Sequence, residues 1–459
     1  IFRIKYLQSF NFLTSKALFI SMSESSINDS NSSDLSTSRQ ALSSQDEADT
    51  RFETKTEWTN RFWEFALSKL LKNFEVGNIP LRYPQGKSVQ YGKPESEPSA
   101  YMKVNSHRMI RKLLVEGDVG LAESYMDGDW ESSNLVPILE LGPRNVDAIE
   151  NKILGFKFFR LKNLFQHILR PNSLRGSQRN IADHYDLGNS FYLPWLDRSM
   201  TYSSALFEDE HQRNPENVEE HLYHGQIRKY QYIADQLNLK PGMKVLEIGC
   251  GWGGFAEIAA RDYGCQVDGI TISKEQLAYA SNRIQNSGLS KQVNLFFQDY
   301  RDLEGKYDRI VSIEMLEAVG EKNWPTYFKQ VKQLLKSEGE ALIQTILIED
   351  SRFEDYRKKA DFIQRYIFPG GMLPSLEILK PIFSEYGLKL NDVMHFGNSY
   401  GKTMNLWNQM FQNAWSEIQN QNFDLRFKRM WEYYLAYCET GFNTGAIDVA
   451  MIHLKKESS

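Results

Sequence analysis

The sequence predicts an α/β fold with a mostly parallel sheet, preceded by a smaller N-terminal α+β unit. From His184 onward, short apolar segments alternate with segments of helical periodicity, which is the order expected when helices connect parallel strands. The predicted strands are 244–248, 266–270, 293–297, 307–313 and 340–346. Ahead of them, a helical segment, two short strand-like segments and a second helix predict the smaller unit.

The first of these strands ends in three closely spaced glycines, Gly249, Gly251 and Gly253, and a helical pattern follows them. Glycine permits positive φ angles and a close approach of the backbone, and free amides at a helix start bind nucleotide-like ligands. Dinucleotide-binding loops place the third glycine three residues after the second. Here that spacing is two, and Glu247 stands two residues before the first glycine. This combination predicts a site for S-adenosylmethionine (SAM) rather than for NAD.

The segments after the second and third strands are expected to supply further donor contacts. A carboxylate for the ribose hydroxyls usually ends the second strand, but Asp268 lies inside this one, so Ser273 and Gln276 are expected to take over part of that role. Asp299 follows the third strand, where it is placed to meet an adenine amino group, although alone it would be a turn or N-cap residue. The predicted donor contacts here are Thr271, Ile272, Ser273, Gln276, Asp299 and Tyr300.

Composition and charge exclude several classes of protein. The 459 residues are sufficient for two or three domains, and with 41% hydrophobic residues the chain can bury a sizeable core. The formal charge of −5 argues against a general nucleic-acid binder. The three cysteines have no C-x-x-C spacing, so we expect neither a metal site nor a disulfide framework, and a reducing compartment fits best. No apolar run approaches the roughly 18 residues that span a bilayer.

The sequence also predicts how the chain is divided. At the N-terminus, the first methionine is Met22, which favours a wrongly assigned start, with a transit peptide as the alternative. The polar segment 23–50 has scarcely any large apolar side chains and is expected to be disordered. The predicted regions are an N-terminal extension (1–50), an N-terminal domain (51–150), a basic amphipathic linker (151–180) and the α/β domain (181–459).

The predicted linker has an unusual charge pattern. Basic and large apolar residues alternate through it, and no acidic residue occurs between Glu150 and Asp183. A basic helix with a wide apolar face can lie on an anionic membrane surface. The same pattern fits a helix packed between two domains with solvated lysines, and the sequence does not separate the two.

Three segments resemble those of the cyclopropane-fatty-acid synthases. They are HYDLGN at 184–189, MTYSSA at 200–205 and YIFPGGMLPS at 366–375. The glycine loop and the run 308–313 belong to the same pattern, and 80–140 is similar to the family's N-terminal domain. The resemblance implies a Rossmann-like class I SAM-dependent methyltransferase domain, with SAM as cofactor and a lipid-associated N-terminal domain.

The family resemblance also implies a reaction. SAM would methylate the double bond of an unsaturated phospholipid acyl chain, giving a cyclopropane fatty acid. An alkene is a poor nucleophile, so the donor must be held close to it in a dry cavity, and aromatic faces and a carboxylate stabilise the resulting cation. In the family, a bound bicarbonate is thought to take the proton that is lost.

The resemblance further implies where the protein acts and with what it associates. It implies a cytoplasmic protein that is peripheral at the inner face of the membrane and binds no nucleic acid, and it leaves open whether the protein forms a homodimer.

Individual site residues follow from the matched motifs. Glu317 falls on the family's active-site carboxylate, and Ile346 and Tyr400 fall on two contacts of the bicarbonate. Cys438 matches a cysteine often marked as an active-site residue, although a buried helix cysteine is the commoner situation. The resemblance also adds Tyr202 and Ser203 to the predicted contacts of the methyl donor SAM.

The chain departs from the family pattern at four positions across the cavity. Ser204 stands where cysteine is usual, and Gln344 where a histidine contacts bicarbonate. Ala318 replaces another histidine, and Glu314 adds an acid where glycine is common. Loss of a potential cation and gain of a negative charge are expected to weaken anion binding. A methyl-branched or methylene product without a ring is therefore an alternative, as are N-methylation of a small amine and a lipid-binding protein without activity.

Overall fold

The computed structural model describes residues 57–145, 187–208 and 216–457. The chain divides into two compact units, Ile1–Arg61 and Phe62–Ser459. The described residues of the first unit are helical, and the second unit contains two β-sheets with their helices. The predicted extension and the predicted basic linker lie outside the described residues.

A small sheet near the start of the second unit corresponds to the predicted α+β unit. Its strands are Asn78–Arg82 (β1), Ser88–Gly92 (β2), Met102–Val104 (β3) and Trp130–Glu131 (β4). They lie in the order β2-β1-β3-β4. The buried indole of Trp130 closes this sheet over its helices by donating to the Leu121 carbonyl and the Ser124 hydroxyl, both at 3.1 Å.

The larger sheet contains seven strands. They are Lys244–Ile248 (β5), Gln266–Thr271 (β6), Val293–Phe297 (β7), Tyr307–Ile313 (β8), Leu335–Ile348 (β9), Leu388–His395 (β10) and Ile447–Lys456 (β11). Their order is β10-β11-β9-β8-β5-β6-β7, with β5 to β9 parallel and β11 antiparallel to both of its neighbours. The order in which the chain adds strands reverses between β5 and β8, and α/β proteins bind ligands at the carboxyl ends of strands beside such a switch point.

Helices surround both sheets. They are 62–71 (α1), Arg108–Glu116 (α2), Asp118–Met126 (α3), Leu135–Arg144 (α4), Asn189–Tyr192 (α5), Val218–Gln236 (α6), Gly254–Arg261 (α7), Lys274–Asn286 (α8), Leu316–Val319 (α9), Trp324–Leu334 (α10), Asp350–Tyr356 (α11), Leu376–Glu385 (α12), Gly397–Gln419 (α13) and Leu425–Asn443 (α14). Polar side chains fix several helix starts by accepting a bond from a first-turn amide. Asn217 caps α6 at 3.0 Å, and Asp424 caps α14 at 2.7 Å.

An aromatic core joins α5 to the two long C-terminal helices. Phe191 is completely buried, and its ring centroid lies 4.8–6.5 Å from those of its neighbours. These neighbours are Tyr192, Trp195, Phe411, Phe423, Phe427 and Trp431. Much of the high aromatic content is therefore used in packing, which positions the loop 193–204 against the larger sheet.

The predicted parallel α/β arrangement is confirmed. Strands β5, β7 and β8 have the predicted bounds, β6 is one residue longer, and β9 is extended at both ends. Strands β10 and β11 were not predicted, and they add an antiparallel edge to the sheet. Among the described residues, no helix is long and apolar enough to cross a bilayer.

Candidate active site

A cavity of about 530 Å³ opens at the carboxyl ends of the central strands. Its volume is in the range of small-molecule sites. All predicted donor contacts except Gly253 line it; they are Tyr202, Ser203, Glu247, Gly249, Gly251, Thr271, Ile272, Ser273, Gln276, Asp299 and Tyr300. Gly253 instead begins α7, where an added Cβ would lie 3.1 Å from Cβ of Ala280.

The glycine loop shapes the cavity through its backbone conformation. Gly249 and Gly251 have φ angles of 85° and 51°, a region that favours glycine. The amides of Gly249 and Cys250 donate to the Ile270 carbonyl at 3.0 and 2.8 Å, and the Gly253 amide donates to the Cys250 carbonyl. These three amides are therefore not available to a ligand.

Glu247 is the polar group on the strand side of the glycine loop. The residue is 3% exposed, its carboxylate accepts a bond from the Ala256 amide, and its Oε2 atom is buried without a hydrogen-bond partner. Burial raises its pKa to about 8. With this raised pKa the carboxyl group binds a proton in the empty cavity, and a ligand ammonium group beside Oε2 would favour its ionised, accepting form.

The opposite end of the cavity lies beyond β6 and β7. Thr271 donates its hydroxyl to Gln276 Oε1 at 2.9 Å, and Ser273 caps α8 by accepting from the Gln276 amide. Asp299 forms a two-bond ion pair with Arg301, at 2.9 and 2.6 Å, and accepts from the Arg301 amide. Both the N-cap and the ligand interpretations of Asp299 thus agree with its position, because the residue caps a turn and also lines the cavity.

Across the cavity, Glu314 is held by three donors from three different segments. Its Oε1 accepts from the Ser204 amide and from Gln344 Nε2, both at 2.8 Å, and its Oε2 accepts from the Tyr400 hydroxyl at 2.6 Å. Glu314 has a φ angle of 50°. A non-glycine residue in this conformation costs roughly 1–2 kcal/mol and commonly marks a functional position.

The predicted bicarbonate contacts do not fit a bound bicarbonate in this chain. Gln344 and Tyr400 both donate to the Glu314 carboxylate, as does the Ser204 amide. The third predicted contact, the Ile346 amide, donates to Glu317 Oε1 at 2.5 Å. The expectation of weaker anion binding therefore has a physical cause, because Glu314 and Glu317 already accept from these donors.

Glu317 is the second carboxyl group of this part of the site. It accepts from the Ile346 amide and from the Thr345 hydroxyl at 3.0 Å, and its Oε2 is buried without a partner. Loss of hydration, followed by the nearby charge of Glu314, raises the pKa of Glu317 to about 8. Glu317 is therefore neutral at pH 7, so that the pair carries at most one negative charge there.

This protonation predicts a pH dependence of stability. The pKa of Glu317 rises from 4.5 to about 8 on folding, so the folded chain binds the extra proton. By linkage, its stabilising contribution is complete below pH 4.5 and is lost as the pH rises through 8. We compare the melting temperature of Glu317→Gln with that of the wild type. The difference, variant minus wild type, is expected to be more positive at pH 9 than at pH 6. Calorimetry at both pH values measures this, with exposed Glu349→Gln as control; an equal difference at both would contradict it.

Cys438 lies on α14 beside the same region. The thiol is buried, and burial raises its pKa well above the usual value, so the side chain is neutral. A neutral thiol is a poor nucleophile, which favours the packing interpretation of this residue. The neighbouring ring of Tyr400 stacks on Phe442 at 4.4 Å, and the Tyr202 hydroxyl lies 2.8 Å from that of Tyr434.

One charged residue was not identified from the sequence. Lys229 on α6 is fully buried, and its Nζ donates to Ser203 Oγ at 2.6 Å and to Gln226 Oε1 at 2.7 Å. A signal was present, because Gln226 and Lys229 stand at helical spacing on the same face as the buried Leu222 and Ile233. Polar residues on an apolar helix face indicate a buried polar network.

Fold and cavity together define a class I SAM-dependent methyltransferase. A family model described as mycolic acid cyclopropane synthetase matches residues 172–452, and a domain of unknown function matches 66–140. The chain belongs to the cyclopropane-fatty-acyl-phospholipid synthase family. The predicted family, fold class and enzyme class are thereby confirmed.

Curated relatives span most of the chain. The tuberculostearic acid methyltransferase UfaA1 of Mycobacterium tuberculosis is 35% identical over 85% of this chain and 91% of its own. The cyclopropane-fatty-acyl-phospholipid synthase of Escherichia coli is 38% identical over 76% of this chain and 86% of its own. Similar proteins thus include both a ring-forming synthase and a fatty acid methyltransferase by name.

Solved structures agree with this placement. The cyclopropane synthase MmaA2 from Mycobacterium tuberculosis has a TM-score of 0.55 at 28% identity, covering 63% of this chain and 99% of its own. The mycolic acid cyclopropane synthase CmaA1, complexed with SAH and CTAB, gives the same four values. A neighbour that binds SAH, the demethylated form of SAM, supports the predicted SAM cofactor.

Proposed function

We propose that this enzyme methylates the double bond of an unsaturated phospholipid acyl chain and that Glu314 takes up the proton released in that reaction. The observation that carries the proposal is the Glu314 carboxylate, held by Ser204, Gln344 and Tyr400. By family resemblance the positions of Gln344 and Tyr400 contact bicarbonate. The chain's own carboxylate therefore replaces the external base.

The donor half of the cavity fits SAM. Glu247 offers an unpartnered buried acceptor for an ammonium group, the glycine loop leaves space, and Asp299 lies at the adenine end. When bound there, SAM supplies an electrophilic methyl group. The residues of the chain orient the acceptor and exclude water, because reaction at an alkene needs a close, dry approach.

The hydrogen bonds of Glu314 identify the basic atom. Its Oε1 already accepts two bonds, whereas Oε2 accepts only the bond from Tyr400. A carboxylate oxygen has two lone pairs, so Oε2 retains one. After methyl addition, a C–H bond of the cationic chain breaks, the proton moves to Oε2, and the electron pair forms the new carbon–carbon bond. Loss of hydration raises the pKa of Glu314, which strengthens it as a base.

We favour a cyclopropane as the product. Two of the donors that fix Glu314, Gln344 and Tyr400, stand where the family holds its base, so the proton of the transferred methyl group is expected to be the one removed. A methylene product is the second candidate, because Glu314 is tethered to the backbone and a similar protein is named for tuberculostearic acid methylation. A saturated methyl branch would also need a reductant.

A phospholipid substrate places the reaction at a membrane surface. We therefore propose peripheral association with the membrane. Flotation with vesicles of monounsaturated, partly anionic phospholipid tests this separately from activity. The enzyme is expected to float with these vesicles, and recovery of all the protein at the bottom of the gradient would contradict the association.

The function is tested by incubating the enzyme with SAM and monounsaturated phospholipid. We expect acyl chains that gain the mass of one CH2 group by mass spectrometry. Proton NMR of the isolated esters then distinguishes a ring from an exocyclic methylene. Transfer to small amines but not to acyl chains would overturn the proposal.

A further inference from the structure

We propose that Lys229 is a positioning residue that makes Ser203 a hydrogen-bond donor for the α-carboxylate of the methyl donor. The inference rests on the SAM site alone and is independent of the acyl acceptor and of the product. It concerns a residue that has no place in the proton transfer described above.

The first observation is the isolation of Lys229 from ion pairs. Its side chain is fully buried on α6, and burying an ammonium group is costly unless it is well solvated by other groups. Within the described part of the chain, its hydrogen bonds go to the neutral Ser203 and Gln226, and no carboxylate lies within ion-pair distance. A retained buried cation without a direct counterion is consistent with an anion supplied by a ligand.

The second observation is the direction of the Ser203 bond. An ammonium group only donates, so Ser203 Oγ must accept from Lys229 at 2.6 Å. The hydroxyl proton of Ser203 then has to be directed elsewhere, and no described group accepts it. Gln226 fixes the segment further, because its Nε2 donates to the Ser203 carbonyl at 2.8 Å. Since Ser203 lines the cavity, a polarised donor is presented to the ligand there.

The third observation is that a hydrogen-bond acceptor, Glu247, and a hydrogen-bond donor, Ser203, line the same cavity. Asp299 follows β7, two strands away from β5 in the sheet, whereas Lys229, which donates to Ser203, is close enough to Glu247 on β5 to interact with its charge. Glu247, at the end of β5, has an unpartnered acceptor. The amino-acid part of SAM carries an ammonium and a carboxylate. Glu247 is suited to the ammonium group, and the Ser203–Lys229 pair is suited to the carboxylate. The loop amides at 249, 250 and 253 are not available to the carboxylate, because they donate to backbone carbonyls.

The charged groups around Lys229 come from three elements. Glu314 lies at the end of β8, Asp197 in the loop 193–204 and Glu247 on β5, and each favours the protonated ammonium. Burial outweighs them and lowers the pKa of Lys229 to about 7. As the pH rises above 7, Lys229 loses its charge, so affinity for a carboxylate-bearing ligand is expected to fall.

The test compares two ligands by titration calorimetry: S-adenosylhomocysteine and its analogue without the carboxylate, S-adenosyl-3-thiopropylamine. For Lys229→Met we expect roughly tenfold weaker binding of the first ligand, the size of one hydrogen bond to a charged group. Binding of the second ligand is expected to be unchanged. Ser203→Ala should give the same selective loss, and it also serves if Lys229→Met does not fold.

Arg228→Met is the matched control, since it removes the neighbouring, solvent-facing cation of the same helix. Equal weakening for both ligands would assign Lys229 a merely structural role and overturn the inference. Unchanged binding of S-adenosylhomocysteine in Ser203→Ala would overturn it as well. Failure to methylate lipids would leave these binding results intact, so the two proposals fail separately.

Discussion

Replacing Glu314 with glutamine should reduce the formation of methylated lipid by roughly 10²–10⁴-fold, the range for loss of a general base. Glutamine keeps the length of the side chain and an oxygen for the donors, but its amide does not accept a proton from the substrate. Glu314 also favours the charged form of Lys229, so affinity for S-adenosylhomocysteine should fall as well, but by far less than product formation. Product yield by mass spectrometry and binding by calorimetry measure the two quantities.

A glycine at the same position makes the test sharper. Glu314→Gly frees the donors Ser204, Gln344 and Tyr400 and also relieves the positive φ angle. We expect this variant to be inactive in carbonate-free buffer and to recover part of its activity when bicarbonate is added. The wild type should be indifferent to bicarbonate. Glu349→Gln, an exposed carboxylate, is the control and should behave as wild type.

The outcomes separate the alternatives. A wild-type enzyme that requires bicarbonate would show that an external anion displaces Glu314 from its donors, against the proposed mechanism. Full activity of Glu314→Gln would also contradict the proposed mechanism. Glu314→Gln with a changed ratio of ring to methylene, at undiminished total yield, would assign Glu314 to product choice rather than to proton removal.

Much of the fold was predictable because its signals are local. Strands β5, β7 and β8 are short apolar runs between turn residues, and their bounds were predicted correctly. The edge strands β10 and β11 were missed because they pair with each other and with β9 across long sequence separations. A bulge at 390–392 interrupts β10, and no alternation of apolar and polar residues marks β11 as half exposed.

The lining of the cavity was predictable for the same reason. The glycine loop, Thr271 and Asp299 each follow a strand, and the ends of adjacent parallel strands meet in space. The arrangement of the wall around Glu314 was not predictable from the sequence. Glu314 was recognised as an added acid, but its partners lie 110, 30 and 86 positions away in sequence. Only the folded chain shows that three donors distant in sequence all bond to this added acid.

The glycine loop provides the second large effect. Gly249→Val should weaken the binding of S-adenosylhomocysteine by roughly 10²-fold, the scale of a misplacement by about an ångström in a positioned site. Gly249 has a φ angle of 85°, and its added Cβ would lie 3.2 Å from Met315 Cγ. A β-branched residue does not tolerate this φ. The loop would have to shift, breaking the bonds of Gly249 and Cys250 to Ile270.

Gly288 offers a control that isolates the site from the backbone. It has a φ angle of 70°, no atom lies within 4 Å of its added Cβ, and it lies outside the cavity. Gly288→Val therefore carries the left-handed strain, roughly 1–2 kcal/mol, without the steric contact. We expect both variants to lose thermal stability, because both force a branched side chain into a positive φ. Only Gly249→Val should lose the ligand, whereas equal loss in both would attribute the effect to general destabilisation and remove the loop from the donor site.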